Sequence, residues 1–364
     1  MRDTQKFTVL IVLLLGLLAS ACTHPDNTPL PSPENQASEP AATETTIKAD
    51  WFTVYFTDPN DPNAGRYRGG PDTALASAID SARLSVDMAI FDLNLWSIRD
   101  SLLAAARRGV EVRIVTETDN LDEPEIQELI EAGIPVTDDR HENLMHNKFT
   151  IIDQYEVWTG SMNYSTTEAY LNNNNLIRLR SSRLAKSFTS EFEEMYSDHL
   201  FGPDASPPAT DPDLTIDGTR VEVYFAPDDH PARRLVELIQ DAEESIYFLA
   251  YSFTSDELAE ALLESAQNGV TVAGVFEASQ YTSNVGTEFD RLQAAGLDVR
   301  LDGNDRNMHH KIIILDERIV VTGSYNFSTN AETRNDENIV ILHSPVLAQM
   351  YLQEFRNILA EAQK

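Results

Sequence analysis

Two stretches of the chain carry the same pattern, and this repeat organises the whole sequence. Residues 146–153 read HNKFTIID and residues 309–316 read HHKIIILD, so both follow His-x-Lys-x-x-x-x-Asp. Each histidine is followed 14 residues later by Gly-Ser-x-Asn, at 160–163 and at 323–326. A single His-x-Lys occurs often by chance. Two copies with the same downstream motif and a constant offset of 163 residues indicate a duplicated domain.

The duplication extends over most of the chain. Val-Tyr-Phe, for example, occurs at 54–56 and again at 223–225. Between the copies, residues 202–219 read GPDASPPATDPDLTIDGT, and this concentration of Pro, Asp and Gly is typical of a linker. The sequence therefore predicts a first domain over 50–201, a linker over 202–219 and a second domain over 220–364.

Each half alternates short apolar strands with amphipathic helices. The predicted order is strand, helix, strand, helix, strand, strand, strand, helix, with serine at helix starts and glycine at helix ends. Predicted strands are 85–93, 111–117, 245–253 and 271–277, and predicted helices are 97–109 and 255–269. This alternation predicts an α/β fold in which each half has a mixed sheet flanked by helices.

The repeated motifs fall on predicted hairpins. In KFTIIDQYEVWTGS and KIIILDERIVVTGS, the His-x-Lys opens one strand and the Gly-Ser-x-Asn ends the next. His146 and His309 are therefore expected at strand ends, where loops form a cleft. An imidazole changes protonation near neutral pH, and a lysine supplies positive charge. Two such sets suit attack on a phosphodiester.

The N-terminus has the pattern of a targeting segment. An apolar run at 7–18 follows a charged start, and Ala-Ser-Ala then precedes Cys22, the only cysteine. This ending resembles a lipobox and predicts a lipoprotein signal peptide over 1–21 with lipidation at Cys22. Residues 22–49, rich in Pro, Ser, Thr and Asn, predict a disordered tether. We expect an exported protein that is lipid-anchored to the bacterial cell envelope; an ordinary signal peptide is the alternative.

Charge and cysteine content narrow the function classes. The chain has 59 acidic and 27 basic residues, which gives a net charge of −32. Such an acidic surface disfavours nonspecific binding of nucleic acid and flat adsorption on an anionic bilayer, although a positive cleft can still lie within it. A single cysteine allows no intramolecular disulfide, so the fold depends on its core.

The doubled motif resembles the phospholipase D superfamily, over about residues 51–362. The resemblance implies two α/β/α domains that pack as a pseudo-dimer with one active site at their interface. It implies that one histidine attacks phosphorus to give a phosphohistidine, while the other protonates the leaving alcohol and then activates water. No metal or other cofactor is implied. Because one chain completes the site, we expect a monomer.

The motif residues fit this chemistry. By resemblance, His146 is expected as the nucleophile and His309 as the general acid. Lysine charges would neutralise the non-bridging phosphate oxygens, and asparagine amides would donate to the same oxygens in the transition state. These residues are Lys148, Lys311, Asn163 and Asn326.

Other motif residues are expected to support the site. Asp153 and Asp316 lie five residues beyond their lysines and are interpreted as structural groups, not as bases. Ser161 and Ser324 are expected to fix the local geometry, next to glycines that allow a tight turn. His310 lies close enough to the motif to matter.

The two halves differ at one position downstream of the motifs. In the family an acidic residue often hydrogen-bonds a catalytic histidine. The second half offers Glu337, 28 residues after His309, whereas the first half has Asn174 at the equivalent place. A carboxylate favours a charged imidazole, while an amide orients the ring without charge. We hypothesise that Glu337 supports the nucleophile His146 across the interface.

The substrate class stays open at this stage. A phospholipase D acting on phospholipid headgroups fits the anchor and the acidic surface. A metal-independent nuclease fits the compact halves, and a phosphatidyltransferase shares the chemistry but usually carries membrane helices. A non-catalytic envelope-binding protein is disfavoured because both motifs are intact. A loop at 58–72 with Arg66, Tyr67 and Arg68 could grip a headgroup or stack on a base, and no apolar lip is evident.

Overall fold

The computed structural model describes residues 50–140, 142–205 and 212–362. The predicted signal peptide, Cys22 and the tether therefore lie outside the described residues. Within the described ranges, no helix combines the length and the hydropathy that a membrane crossing requires.

The first half forms a seven-stranded mixed sheet with the strand order β1-β7-β6-β5-β2-β3-β4. Its strands are β1 (Phe52–Phe56), β2 (Ser85–Ile90), β3 (Glu111–Thr116), β4 (Val136–Asp138), β5 (Lys148–Ile152), β6 (Glu156–Gly160) and β7 (Asn175–Arg180). Its helices are α1 (Asp72–Ser81), α2 (Trp96–Arg107), α3 (Pro124–Glu131), α4 (Thr166–Tyr170) and α5 (Ser182–Tyr196). Strands β2, β3 and β4 run parallel, and the remaining neighbours pair antiparallel.

The second half repeats this plan in an eight-stranded sheet with the order β12-β11-β10-β13-β14-β15-β9-β8. Its strands are β8 (Asp213–Ile216), β9 (Thr219–Ala226), β10 (Ser245–Ala250), β11 (Thr271–Phe276), β12 (Asp298–Leu301), β13 (Lys311–Leu315), β14 (Ile319–Gly323) and β15 (Glu337–Leu342). Its helices are α6 (Pro231–Gln240), α7 (Asp256–Gln267), α8 (Ala278–Ser283), α9 (Phe289–Ala294), α10 (Thr329–Thr333) and α11 (Pro345–Glu361). The prediction of an α/β fold with two duplicated mixed sheets is confirmed.

The predicted linker needs a correction. Residues 202–219 were expected to lack regular structure, but Asp213–Ile216 form the edge strand β8 and pair with β9. Asp217 and Gly218 make the two-residue connection, both with positive φ, which is the backbone that an Asp-Gly hairpin favours. Ile216 is buried and Leu214 packs half-buried against the core, so two apolar side chains anchor a strand that the Pro-rich and Asp-rich context concealed.

A shared core joins the two halves. One continuous cluster of buried apolar residues draws on β5, β6, β7 and α5 of the first half and on β9, β13, β15 and α11 of the second. Phe188 of α5 and Phe225 of β9 meet within it, with ring centroids 5.2 Å apart. Two further clusters lie within the individual halves. Burial of this common surface therefore holds the halves together as a pseudo-dimer.

Polar contacts across the interface obey the same pseudo-twofold relation. Thr159 Oγ1 donates to Asn338 Oδ1 at 2.7 Å, and Thr322 Oγ1 donates to Asn175 Oδ1 at 2.8 Å. All four side chains are buried. Buried amides that are paired in this way fix the register of the interface, because any shift would leave them without partners.

Candidate active site

The two hairpins bring the repeated motifs to corresponding sheet edges. Lys148 is the first residue of β5 and pairs with Ile90, the last residue of β2. Lys311 opens β13 and pairs with Ala250, the last residue of β10. The next strands, β6 and β14, end at the motif glycines. Each histidine therefore lies at a strand end, beside the loops that leave the parallel strands.

The motif glycines permit a close backbone approach. Gly160 has φ of 146°, and a Cβ there would collide with the carbonyl oxygen of Asn175. Gly323 has φ of 150° and meets the carbonyl oxygen of Asn338 in the same way. Only glycine fits such a position, so each hairpin presses against the start of the next strand.

Backbone hydrogen bonds join the two motif loops across the interface. The His146 amide donates to the carbonyl of Asp336 at 3.0 Å, and the His309 amide donates to that of Asn173 at 2.9 Å. One residue earlier, the Met145 amide donates to Glu117 Oε2 and the Met308 amide to Glu277 Oε2, at 2.8 and 2.7 Å. Each motif loop is thus fixed by a carboxylate of its own half and a carbonyl of the other.

His146 is held by a carboxylate from the opposite half. Its Nδ1 lies 2.8 Å from both Oε1 and Oε2 of Glu337, which is itself fully buried. This contact occupies Nδ1 and leaves Nε2 without a described hydrogen bond. The ring also lies edge-on to Phe91, with centroids 5.1 Å apart. The geometry therefore presents Nε2 as the reactive nitrogen.

His309 is held by two side chains of the first half, and this differs from the expectation. Its Nδ1 lies 3.1 Å from Asn174 Oδ1, as the pseudo-symmetry suggests, and 3.2 Å from Glu168 Oε2. Glu168 also accepts a hydrogen bond of 2.5 Å from Asn174 Nδ2. The expectation that an amide orients this ring without charge is therefore wrong, because a carboxylate reaches it from α4.

The sequence offered no direct signal for Glu168. Its counterpart at the repeat offset of 163 is Ala331, so a comparison of the halves does not mark it. Glu117 and Glu277 do match in the repeat, at the ends of β3 and β11, and could have been recognised as paired supports. The carboxylate missing at position 174 is thus supplied from a different element.

Burial dominates the titration of both histidines. Desolvation lowers the pKa of His309 to about 4, although Glu168 opposes it. Desolvation likewise lowers the pKa of His146, against the raising effect of Glu337. The pKa of Glu168 falls to about 2 in spite of its burial, chiefly through its interaction with His309. Each carboxylate therefore favours the charged form of the imidazole that it contacts.

The two lysines concentrate positive charge in the cleft. Lys148 Nζ donates to the carbonyl of His146 at 2.7 Å, and Lys311 Nζ donates to that of His309 at 2.8 Å. Both side chains are buried, and they lie over the rings of Phe91 and Tyr251. Desolvation lowers the pKa of Lys148 to about 8 and that of Lys311 well below its usual value. A bound anion would relieve this unfavourable concentration of like charge.

The side-chain amides of the two motif asparagines are incompletely hydrogen-bonded. Asn163 and Asn326 are largely buried or half-buried, and Oδ1 of each has no hydrogen-bond partner among the described residues. Such unpaired buried amides are uncommon, because each costs free energy when no partner is present. Because Oδ1 only accepts, a phosphate group between the two lysines would take its hydrogen bonds from Nδ2 of each amide and not from this oxygen.

The remaining motif residues contact the backbone. Ser161 Oγ accepts from the Asn175 amide at 3.1 Å, and Ser324 Oγ accepts from the Asn338 amide at 3.0 Å. Asp153 lies at the far end of β5 from Lys148 and accepts from three successive amides, those of residues 83–85. Asp316 does the same with residues 243–245. These aspartates bind main chain away from the histidines.

Comparison with known proteins identifies the family. A family model described as cardiolipin synthase, PLD-like domain, matches residues 75–196 and 235–359, which is one segment in each half and more than half of the chain. The chain belongs to this PLD-like family. The resemblance to the phospholipase D superfamily is thereby confirmed.

Relatives of known name match a segment of this chain about as long as one of its two halves. Phospholipase D of Rickettsia prowazekii is 34% identical over 137 residues, 38% of this chain and 66% of the relative. Human mitochondrial cardiolipin hydrolase is 34% identical over 125 residues, 34% of this chain and 49% of the relative. Both names support phosphodiesterase activity, although the matched segments span about two thirds or less of the relatives' length.

The whole fold is shared with a solved structure. Phosphatidylserine synthase of Haemophilus influenzae superposes with a TM-score of 0.65 over 87% of this chain and 90% of the other. The sequence identity is 12%, so this likeness concerns the two-domain arrangement alone.

Proposed function

We propose that this protein hydrolyses phospholipid headgroup phosphodiesters through a phosphohistidine on His146. The observation that carries the proposal is the set of side chains that the two motifs bring to the interface. Two histidines have Nδ1 fixed across the interface, and each belongs to a motif that also supplies a buried lysine and an asparagine. These groups could provide a nucleophile, an acid and donors for a bound anion.

The first step forms the covalent intermediate. Nε2 of neutral His146 attacks phosphorus while the bond from phosphorus to the headgroup oxygen breaks. His309, protonated at Nε2, gives its proton to that oxygen, and the headgroup alcohol leaves. Glu337 stabilises the charge that develops on the His146 ring. The lysines and asparagines hold the non-bridging oxygens.

The second step returns the enzyme to its resting state. Water gives a proton to His309, and its oxygen attacks phosphorus while the bond to His146 breaks. The products are a phosphatidic acid and the free histidine. An alcohol in place of water would give transphosphatidylation by the same route.

His309 must be protonated for the first step, and the bound substrate favours this protonation. In the substrate-free cleft the pKa of His309 is about 4 because of desolvation and the nearby lysines. A phosphodiester anion between the lysines offsets their charge and raises this pKa. Substrate binding therefore favours the protonated form of His309 that the first step requires.

Exposed aromatic side chains near the cleft favour a lipid substrate. Trp96 is 69% exposed and begins α2, the helix that follows β2, and its Nε1 donates to Glu125 Oε1 at 2.8 Å. Tyr67 is 53% exposed, and its ring centroid lies 5.8 Å from that of Tyr170, in the same helix as Glu168, with the two planes tilted by 59°. Val285, 97% exposed, follows β11 at the corresponding edge of the second half. Amphipathic rings of this kind suit a membrane interface.

A metal-independent nuclease is the second candidate. Arg66 and Arg68 flank Tyr67 and have no side-chain partner among the described residues. Arginine beside an exposed aromatic ring can stack on a nucleobase as well as bind a lipid phosphate. The strongly acidic surface weighs against this alternative.

A head-to-head turnover assay separates the two. The purified protein would be given phosphatidylcholine vesicles and single-stranded DNA in parallel, with excess chelator. We expect choline release that is lost in His146→Ala and in His309→Ala. DNA cleavage without headgroup release would instead assign the nuclease function. The inactive variants control for contaminating enzymes.

We further propose that Cys22 carries a lipid anchor at the cell envelope. The support is the sequence around Cys22, which lies outside the described residues. Cys22→Ser should move the protein from the membrane fraction to the soluble exported fraction and abolish incorporation of labelled palmitate. Retention of the variant in the membrane fraction would contradict the anchor.

A further inference from the structure

A buried carboxylate of the first half differs from its twin in the second. Glu191 of α5 and Glu354 of α11 correspond at the repeat offset of 163, and both are buried. Each lies beside the residue between the motif histidine and lysine, which is Asn147 in the first half and His310 in the second. The same structural position therefore has two different neighbours.

In the second half a histidine pairs with the carboxylate. His310 Nε2 donates to Glu354 Oε1 at 3.3 Å, while its Nδ1 accepts from Asn175 Nδ2 at 3.2 Å. The other Glu354 oxygen accepts from Asn357 at 3.3 Å. Both oxygens of Glu354 therefore have a partner.

In the first half, within the described residues, the carboxylate is paired at one oxygen only. Asn147 Nδ2 donates to Glu191 Oε1 over 3.4 Å, which is a weak and neutral contact. Oε2 of Glu191 is buried and has no hydrogen-bond partner in the described part of the chain. The side chain is only 4% exposed, so water contributes little. A buried, unpaired carboxylate is costly and demands a counter-charge or a proton.

Two further carboxylates converge on Glu191 from both halves. Glu194 lies on the same helix, and Asp228 lies in the connection between β9 and α6 of the second half. One oxygen from each of the three groups lies within 4.8 Å of the others. The cluster therefore brings a buried carboxylate that lacks a partner at one oxygen together with acidic side chains of both halves.

We propose that Glu191, Glu194 and Asp228 bind a calcium ion that bridges the two halves. Calcium takes carboxylate oxygens at about 2.3–2.6 Å, so two of its ligands can lie as far as roughly 5 Å apart. Magnesium demands near-octahedral geometry at about 2.1 Å and gives up its water reluctantly, so a site built from protein carboxylates suits it less well. Glu194 and Asp228 are half-buried, which leaves room for water ligands and an entry path.

The ion would act on the assembly of the halves, not on the chemistry. It would join α5 to the connection before α6 in the same way that His310 joins Glu354 to Asn175 on the opposite side. The first half would thus use a metal where the second uses an imidazole. Neither motif histidine belongs to the cluster, so the site is independent of the proposed catalytic function.

Thermal unfolding of the full chain tests this proposal. With calcium at about 1 mM, compared with a calcium chelator, we expect Tm to rise by roughly 3–5 °C, with a smaller rise for magnesium. Glu191→Gln and Asp228→Asn should each abolish the rise. Glu354→Gln is the matched control, because it alters the twin carboxylate and should retain the rise. Calorimetric titration with calcium should give one site per chain in the wild type and none in Glu191→Gln.

Two results would overturn the site. One is a Tm that calcium does not change in the wild type, which would mean that Glu191 is simply protonated. The other is a calcium-dependent rise that persists in Glu191→Gln. Because the amide has the same shape as the acid, Glu191→Gln is expected to fold. Asp228→Asn changes a more exposed residue and gives an independent measurement of the calcium-dependent change in Tm.

Discussion

The two motif histidines are chemically alike but are held differently. His146 has one buried carboxylate, Glu337, against Nδ1. His309 has an amide and a carboxylate, Asn174 and Glu168, that are also bonded to each other. Both rings therefore keep a negative partner, yet the partner of His309 comes from a short helix and not from the repeat position. This difference gives the two halves separable effects on catalysis.

Removal of each carboxylate should move a different limb of the pH profile of kcat/KM. Glu168 raises the pKa of His309, so Glu168→Gln should lower it and shift the alkaline limb to lower pH by about one unit. Glu337 raises the pKa of His146, so Glu337→Gln should shift the acidic limb to lower pH. The measurement is headgroup release from a soluble substrate over a range of pH.

Asn174→Asp is the matched control for this pair. The added negative charge beside His309 should move the alkaline limb to higher pH, opposite to Glu168→Gln. Equal displacement of the same limb by Glu168→Gln and Glu337→Gln would show that the two histidines do not have separate roles.

At the residue scale, the sequence predicted the motif residues because they recur in both halves. It also predicted that Glu337 reaches across the interface, because the repeat breaks at this position, where the first half has Asn174. It could not predict Glu168. The contact with His309 depends on the direction in which α4 leaves the Gly-Ser-x-Asn turn, and the second half has alanine at that position. Nor did it distinguish His310, whose side chain contacts Glu354 and Asn175.

The hairpins are the elements on which the site depends. Each begins at a motif lysine, turns at a motif aspartate with positive φ, and ends at a motif glycine. The aspartate bonds the amides that precede the neighbouring strand. The motif therefore encodes a strand-turn-strand unit together with its attachment to the sheet.

Asp316→Asn should destabilise the fold by about 1–3 kcal/mol, because three amides lose a charged acceptor. Those bonds lower the folded-state pKa of Asp316, so the stabilisation is present above the unfolded pKa and is lost as pH falls through the folded value. Chemical unfolding at neutral pH and in acid tests this. The difference between wild type and variant should shrink in acid; an equal difference at both pH values would contradict the assignment.

Gly160→Ala should prevent the hairpin from closing against β7. The added Cβ would collide with the Asn175 carbonyl at a φ that side chains rarely adopt, which costs about 3 kcal/mol or more. Gly65→Ala is the control, because its Cβ would enter open space. Unfolding midpoints compare the two, and a stable Gly160→Ala protein would refute the close approach.

At the scale of elements, the buried strands β2, β3, β10 and β11 and the amphipathic helices α2 and α7 were predicted from the sequence pattern. The short pieces were not. Strand β4 has three residues, α4 has five, and β8 is hidden in a segment rich in Pro and Asp. Such elements are too short to show a hydrophobic periodicity in the sequence. They form because neighbouring strands offer hydrogen bonds and an apolar surface on which to pack.

On the scale of the whole molecule, duplication and a shared core turn one chain into a complete site. The interface combines apolar packing with pseudo-symmetric amide contacts and backbone bonds at the motif histidines. Neither half holds both histidines, so separation of the halves would part the proposed acid from the proposed nucleophile. The sequence predicted this arrangement through the family resemblance and also singled out Tyr67, whereas Trp96 was recognised only from its exposure.

Those exposed aromatics should matter for lipid surfaces and not for soluble substrates. Trp96→Ala and Tyr67→Ala should each reduce turnover on phospholipid vesicles by several-fold, because a ring no longer enters the interface. Turnover of p-nitrophenyl phosphocholine should be unchanged. Tyr155→Ala, which removes an exposed ring on the β5–β6 turn, is the control and should leave both activities intact. Equal losses on both substrates would indicate a structural effect.

The central claim is that one cleft, built by both halves, forms a phosphohistidine on His146. The most direct measurement is mass spectrometry of a His309→Asn variant, quenched after reaction with bis(p-nitrophenyl) phosphate. Because p-nitrophenolate leaves without protonation, the first step proceeds, and the missing base stalls the second. The account predicts a phosphoryl adduct on the peptide that contains His146. An adduct on His309 in the reciprocal His146→Asn variant, with none on His146, would reverse the roles, and no adduct in either variant would contradict the covalent mechanism.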